Sequence, residues 1–132
     1  MTVHFVGAGP GDPELLTRKA ERLLRSAHIC IWAGSLINPQ ILDLLPAACV
    51  RHDSAGLDLD QTTALCAEAQ DRGVDVVRLH TGEPALYGAI AEQMRRLAAL
   101  GIAYDQVPGI SAWQAAAATL RVELTAPKTA QA

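Results

Sequence analysis

Short apolar runs and longer amphipathic stretches alternate along this chain, and that alternation limits its fold more than any other feature. Residues 3–6, 28–33, 49–52, 75–80 and 104–107 have strand character. Helical patterns occupy 13–27, 39–45, 60–72, 85–100 and 111–120. Strands separated by connections this long pair in parallel through crossovers rather than as hairpins. The expected architecture is α/β, a five-stranded, mostly parallel sheet flanked by helices.

Local chemistry supports the helix boundaries. Asp12 is placed to cap the first helix, with Pro13 in its first turn and Glu14 complementing its dipole. Leu15, Leu16, Ala20, Leu23, Leu24 and Ala27 recur at a helical period and are expected to face the sheet. Asp60 opens the third helix and Gly73 closes it, while Gly101 ends the fourth beyond an outward patch of Glu92, Arg95 and Arg96. Ser111 and Gln114 are spaced as a capping box ahead of the alanines at 115–118.

Composition excludes several classes. With 132 residues, half of them hydrophobic, the chain suits one domain able to bury a core without disulfides or metal. A net charge of −3 gives no electrostatic footprint for nucleic acid. No apolar run nears the roughly 20 residues that span a bilayer, and His4 and Gly7 interrupt anything resembling a signal peptide. Cys30, Cys49 and Cys66 are neither paired nor spaced as ligands, and the four histidines are scattered. The reading is three reduced thiols in a cytoplasmic protein without a metal site. The segment from Arg121 through Lys128 has the character of a strand or connector leading elsewhere.

Three loops carry candidate chemistry. Gly7-Ala-Gly-Pro-Gly-Asp-Pro13 joins the first strand to the first helix, where glycines permit a sharp bend and close approach of a ligand. It departs from the dinucleotide fingerprint, because Asp12 holds the third glycine position and no acid ends the second strand. It also lacks the lysine of a P-loop. A carboxylate at the first helix's positive end argues for a neutral, zwitterionic or cationic ligand rather than a phosphate; a plain capped turn is the alternative. The second loop, Arg78-Leu-His-Thr-Gly-Glu-Pro-Ala-Leu-Tyr-Gly88, sets a hydroxyl, a pliable backbone and an acid at a strand's carboxyl end, where open α/β sheets bind ligands; a plain loop closing onto a helix is the alternative. Within it, Tyr87 is expected to pack on the sheet edge and only secondarily to touch ligand, and His80 to be a hydrogen-bonded edge histidine or a substrate contact. The third loop, Val107-Pro-Gly-Ile-Ser-Ala112, is equally a helix cap and a ligand loop.

In this order the three loops resemble those of the tetrapyrrole methylase family, which transfers methyl groups from S-adenosylmethionine to porphyrinoid intermediates. Trp32-Ala-Gly-Ser-Leu-Ile37 and the stretch 80–89 are similar to the branch that methylates precorrin-4 at ring carbon 11 in cobalamin synthesis. The resemblance implies a sheet in the order 3-2-4-1-5 and cofactor contacts at Pro10, Thr81, Gly82, Glu83, Leu86, Ser111 and Ala112. Glu83 stands where the family usually has aspartate, and Ala33 where the uroporphyrinogen III branch has an aspartate assigned to proton acceptance, so that role does not transfer. The resemblance further implies a cofactor-binding domain at 1–120, a connector at 121–132 toward a second domain outside this sequence, a tetrapyrrole substrate and a homodimer.

On this reading the chain's task is alignment and desolvation rather than activation of the methyl donor. No catalytic residue is assigned; Asp53 is a candidate proton acceptor against the alternative of a solvated turn acid. Arg51 and Arg78 are candidates to hold substrate carboxylates. The competing readings are a family member with another acceptor, such as uroporphyrinogen III or a different precorrin, and a non-catalytic α/β nucleotide-binding domain.

Overall fold

β1 (Thr2–Gly7) and β4 (Val76–His80) pair in parallel at the middle of the sheet, with Val3 opposite Val76 and Gly7 opposite His80. Both strands are covered on both faces: Val3, Phe5, Val6, Val76, Val77 and Leu79 are almost wholly inaccessible. That explains their near-continuous apolar sequence, the pattern of a parallel strand buried on two sides. β2 (Ile29–Trp32) follows β4 outward, with β3 (Val50–Asp53) at one edge and β5 (Ala103–Val107) at the other. The order is β3-β2-β4-β1-β5, every pairing is parallel, and all five strands fall where the sequence places them. The computed structural model describes residues 1–125.

Two apolar layers sandwich the sheet. α1 (Arg18–Arg25) and α2 (Pro39–Leu42) bury Ala20, Leu24 and Ile41 against Val6, Val77 and Leu79. α3 (Leu59–Arg72) and α4 (Ile90–Ala99) bury Cys66, Ala69, Ile90 and Leu97 against Val3, Phe5 and Ile31. The chain therefore leaves β1 for one face and the adjacent β4 for the other. Such a reversal opens a crevice at the strands' carboxyl ends. α5 (Ala112–Leu120) follows β5 and buries none of its residues. Burial pushes the Cys30 thiol up to about 12 and that of Cys66 to about 11, and Cys49 is raised as well, so all three are poor nucleophiles.

Several boundaries differ from the expectation. The first helical stretch is broken. Asp12 caps only a 3-10 turn, Pro13–Leu15, by accepting from Glu14 N at 2.9 Å. Leu16 and Thr17 are extended, and Thr17 Oγ1 then accepts from Ala20 N at 3.1 Å to open α1. The break leaves Leu15 at 37% exposure, off the stripe it was expected to join. Because the turn at Asp12 is too short to carry a macrodipole, the argument against phosphate that rested on it fails. α3 is capped by Asp58 in a reciprocal box with Gln61, not by Asp60, and ends as expected at Gly73 with φ 68°. α4 starts at Ile90 rather than 85, because Tyr87 and Ala89 hold positive φ values of 61° and 53°. The Ser111–Gln114 box is present. Residues 121–125 form turn and bend rather than strand, and the remainder of the expected connector, 126–132, lies outside the described residues.

Candidate functional site

The loops after β1, β4 and β5 meet main chain to main chain. A Cβ placed on Gly7 would lie 2.6 Å from the Gly82 carbonyl oxygen and 2.7 Å from the Gly109 Cα; one on Gly109 would lie 2.2 Å from that same oxygen. Real carbon atoms do not approach so closely, so the first and third motifs each contribute a glycine that tolerates no side chain against the Gly82 carbonyl of the second. Hydrogen bonds fix it. Gly9 N donates to Gly82 O at 3.2 Å and Gly82 N returns to Gly9 O at 2.8 Å, forming an isolated bridge, while Ala8 N donates to His80 O at 2.7 Å. Gly9 and Gly82 take φ values of 72° and 61°, which glycine adopts without strain.

Glu83 ties the second loop to the third. Its Oε1 accepts from Gly109 N at 3.2 Å and its Oε2 from Ala85 N. The carboxylate is thus committed to backbone donors in a charge-assisted arrangement. An aspartate, one methylene shorter, would span less.

Above the junction lies a hollow of about 360 Å3, within the range of small-molecule sites. Pro10, Thr81, Gly82, Glu83, Leu86, Ser111 and Ala112 all line it, so the structure brings together the seven residues singled out from the sequence. Gly9, Leu36, Tyr87 and Trp113 complete the wall; of these, Leu36 and Trp113 were not singled out, and ligand contact was only the secondary reading for Tyr87. Leu36 belongs to the 32–37 stretch that carried part of the resemblance, and Trp113 adjoins Ala112, but no spacing rule marks either. Tyr87 does not pack on the sheet edge: it is 91% exposed, with its ring edge-on to Trp113 at 6.4 Å. Its left-handed backbone turns it outward. Among the described residues no Lys, Arg or His lines the hollow and Glu83 is the one carboxylate there, a lining that suits a cation or zwitterion better than a phosphate.

A second cavity of about 230 Å3 opens beside the first, sharing Leu36, Thr81, Leu86 and Tyr87 with it. Arg78 and His80 lie along it. The Arg78 guanidinium does not extend into solvent. It is 8% exposed, donating through Nε to Gln93 Oε1 at 3.2 Å and through Nη1 to Ile31 O at 3.3 Å. It has no acidic partner among the described residues, and burial lowers its pKa. His80 stacks on Phe5 with centroids 6.0 Å apart, and its buried Nε2 has no partner, contrary to the satisfied edge histidine expected. Burial, with the Arg78 charge nearby, pushes the imidazole down to about 4.

Asp53 is a structural acid: its Oδ1 accepts from Gly34 N at 2.8 Å and Ala55 N at 2.9 Å, which holds the 33–36 turn against the end of β3. Arg51 is exposed on the edge strand, away from both cavities.

Comparisons with known proteins bear on the family and the fold. The sequence profile of the tetrapyrrole (corrin/porphyrin) methylases matches residues 2–132. The chain is 50% identical over 131 residues to a precorrin-4 C(11)-methyltransferase from Pseudomonas aeruginosa, covering 99% of this chain and 52% of that protein. It is 43% identical over 129 residues to a cobalt-precorrin-4 C(11)-methyltransferase from Methanocaldococcus jannaschii, covering 98% and 50%. The crystal structure of a cobalt precorrin-4 methyltransferase superposes with a TM-score of 0.94 at 37% identity, covering 99% of this chain and 55% of that one. A uroporphyrin-III C-methyltransferase from Thermus thermophilus, complexed with S-adenosylhomocysteine, gives 0.81 at 32% identity, covering 100% and 53%. The chain thus spans about half the length of the curated relatives it matches. By a match that runs almost from end to end, and a fold shared with solved members, this chain belongs to the tetrapyrrole methylase family.

Proposed function

We propose that this chain is the S-adenosylmethionine-binding half of a C-methyltransferase of cobalamin synthesis whose acceptor is precorrin-4 and whose target is ring carbon 11. The observation that carries the reading is the convergence of seven expected residues on one hollow built from three glycine-locked loops. The residues present fit the group: the wall is largely main chain and apolar side chain, and its one charge is negative. A relative at 50% identity favours precorrin-4 as acceptor, against 37% for a uroporphyrinogen-III C-methyltransferase from Cyanidium caldarium.

When bound, S-adenosylmethionine supplies a methyl group already activated on a sulfonium, so the protein need not create a nucleophile or a leaving group. The chain's contribution is placement. Pro10 and Ala112 present backbone to the ligand, Gly82 lines the hollow without a side chain, and Thr81 and Ser111 stand beside them with hydroxyl groups. Leu36, Leu86 and Trp113 displace water, which strengthens each remaining polar contact. Rigidity matters as much as contact, because a reacting pair must be held near 3–3.5 Å. The Glu83 carboxylate supplies that rigidity by joining two loops.

Titration calorimetry with S-adenosylhomocysteine tests the binding half of the proposal. Saturable binding, displaced by S-adenosylmethionine and weakened about tenfold by Gly82→Ala, is expected; tenfold corresponds to about 1.4 kcal/mol, the scale of forcing a Cβ into left-handed backbone. An absence of heat with either compound, even with the C-terminal half of the Pseudomonas relative supplied, would remove the methylase reading. The acceptor is tested by supplementing the chain with the C-terminal half of the Pseudomonas relative and locating a 13C-labelled methyl group on precorrin-4. A label at any other carbon, or acceptance of uroporphyrinogen III instead, would overturn the assignment.

A further inference from the structure

The turn that precedes α4 is under strain. Tyr87 and Ala89 hold φ values of 61° and 53° on either side of Gly88, where a Cβ would lie 2.1 Å from the Pro84 carbonyl oxygen. α4 then opens at Ala89 with no side chain capping it. Left to local forces such a turn relaxes, because alanine and tyrosine both favour negative φ. Its shape is imposed from outside.

Gln93, one turn into α4, supplies the hold. Its Nε2 donates to Ala89 O at 3.3 Å, and its Oε1 accepts from Arg78 Nε at 3.2 Å. The guanidinium is anchored in turn on β2, donating through Nη1 to Ile31 O at 3.3 Å. Hydrogen bonds thus run unbroken from β2, through β4 and α4, to the carbonyl of a strained residue. The chemistry sets the direction of each link. Arginine has donors only, so it takes the oxygen of the Gln93 amide and leaves the NH2 for Ala89. A carboxylate at position 93 would satisfy Arg78 but have nothing to donate to Ala89, which accounts for a buried cation bonded to a neutral amide. The charge also polarises that amide and strengthens its second bond.

The turn matters because Leu86 and Tyr87 are walls of the methyl-donor hollow. Glu83 ties the start of this loop to Gly109, and Gln93 ties its end. We propose that Arg78 and Gln93 form a strut that holds the left-handed turn at Tyr87–Ala89 and so fixes the Leu86–Tyr87 wall of that hollow. Both are positioning residues: neither lines the hollow, and they reach the ligand through the turn. The inference rests on the methyltransferase reading for the ligand, and on the turn's own geometry for the strut.

The test changes Gln93 in two ways. Gln93→Glu keeps a partner for Arg78 and removes the donor to Ala89; Gln93→Met fills the space and removes both. Each should weaken S-adenosylhomocysteine about three- to tenfold by calorimetry, the worth of one neutral hydrogen bond. Gln93→Glu should do so without lowering the urea midpoint, a split that a merely structural role does not give. Glycine adopts left-handed backbone freely, so adding Ala89→Gly should bring either Gln93 variant to the affinity of Ala89→Gly alone. Carbon-13 shifts of Ala89, which report its backbone angles, should move toward negative-φ values in both Gln93 variants, with or without ligand. Parental affinity in both single variants, a loss that Ala89→Gly leaves in place, or unmoved Ala89 shifts overturns the strut. If the parent chain binds no S-adenosylhomocysteine, even with the C-terminal half of the Pseudomonas relative supplied, the methylase reading fails. The Ala89 shifts then decide the strut by themselves.

Discussion

Replacing Gly109 by alanine isolates the physical basis of the loop junction, because its backbone φ is not in the left-handed region and the only obstacle is space. The new Cβ would lie 2.2 Å from the Gly82 carbonyl oxygen and 2.9 Å from the Gly7 Cα, both backbone atoms. Ordinary contact begins near 3.4 Å, so the second loop must retreat by roughly 1 Å. Overpacking of this kind costs about 1–3 kcal/mol. The same movement stretches the Gly9 N to Gly82 O bond, already 3.2 Å long, and its loss adds about 1 kcal/mol. The expected destabilisation is therefore about 2–4 kcal/mol, a large share of the 5–15 kcal/mol that holds a domain together. Urea unfolding followed by circular dichroism measures it, with two glycines as controls. Gly101→Ala has open space but a φ of 71°, so it should cost only the left-handed strain of about 1 kcal/mol. Gly56→Ala has open space and no positive φ, and should be near neutral. The ranking 109, then 101, then 56 is the prediction. A Gly109→Ala midpoint indistinguishable from that of Gly56→Ala, at unchanged slope, would refute the claim that the loops touch main chain to main chain.

Other expectations follow from single interactions. Glu83→Gln offers Gly109 N and Ala85 N one acceptor in place of a charged pair, and should cost about 1–2 kcal/mol in the same unfolding assay; a neutral result would mean that the carboxylate does not join the loops. Thr17→Ala should cost about 1 kcal/mol and Asp12→Ala a few tenths, because only Thr17 caps a full helix; the reverse order would return the first helix to its expected start. The imidazole of His80 sits near 4 in the native chain against an ordinary 6.5, so between those pH values the unfolded state binds the extra proton. Stability should fall by about 3 kcal/mol as pH drops through that window, and His80→Phe should remove this component; parallel pH profiles of the two proteins would contradict it. Native-state labelling of Cys30, Cys49 and Cys66 by a thiol-specific disulfide reagent should be slow and become rapid in urea, as expected of buried thiols with raised pKa values.

Much of the fold and the site was visible in the residues themselves. Strands such as Val76–His80 are buried on two faces and so are written as apolar runs, which fixes their position without reference to neighbours. The three loops announced themselves through glycine: Gly7 and Gly109 are demanded by close backbone contact, and Gly82 by its positive φ. What stayed hidden depended on tertiary partners. Leu15 and Leu16 fit a helical period, yet the chain stays extended at 16 and 17 before Thr17 opens α1. Tyr87 and Ala89 occupy backbone that their side chains disfavour, which no propensity foretells, so the start of α4 moved by a turn and Tyr87 faced outward. Arg78 looked like a substrate-binding arm, and only the Gln93 and Ile31 contacts show it folded inward.

A ligand surface made of main chain has an evolutionary consequence. Substitution alters side chains and leaves amides and carbonyls in place, so the loop junction that serves as a floor beneath the hollow is shielded from gradual change: Gly7 and Gly109 are either kept or the loops part. Divergence of the hollow's lining is thereby confined to the perimeter, where Leu36, Leu86, Tyr87 and Trp113 are at least two-fifths exposed and can vary without disturbing that floor.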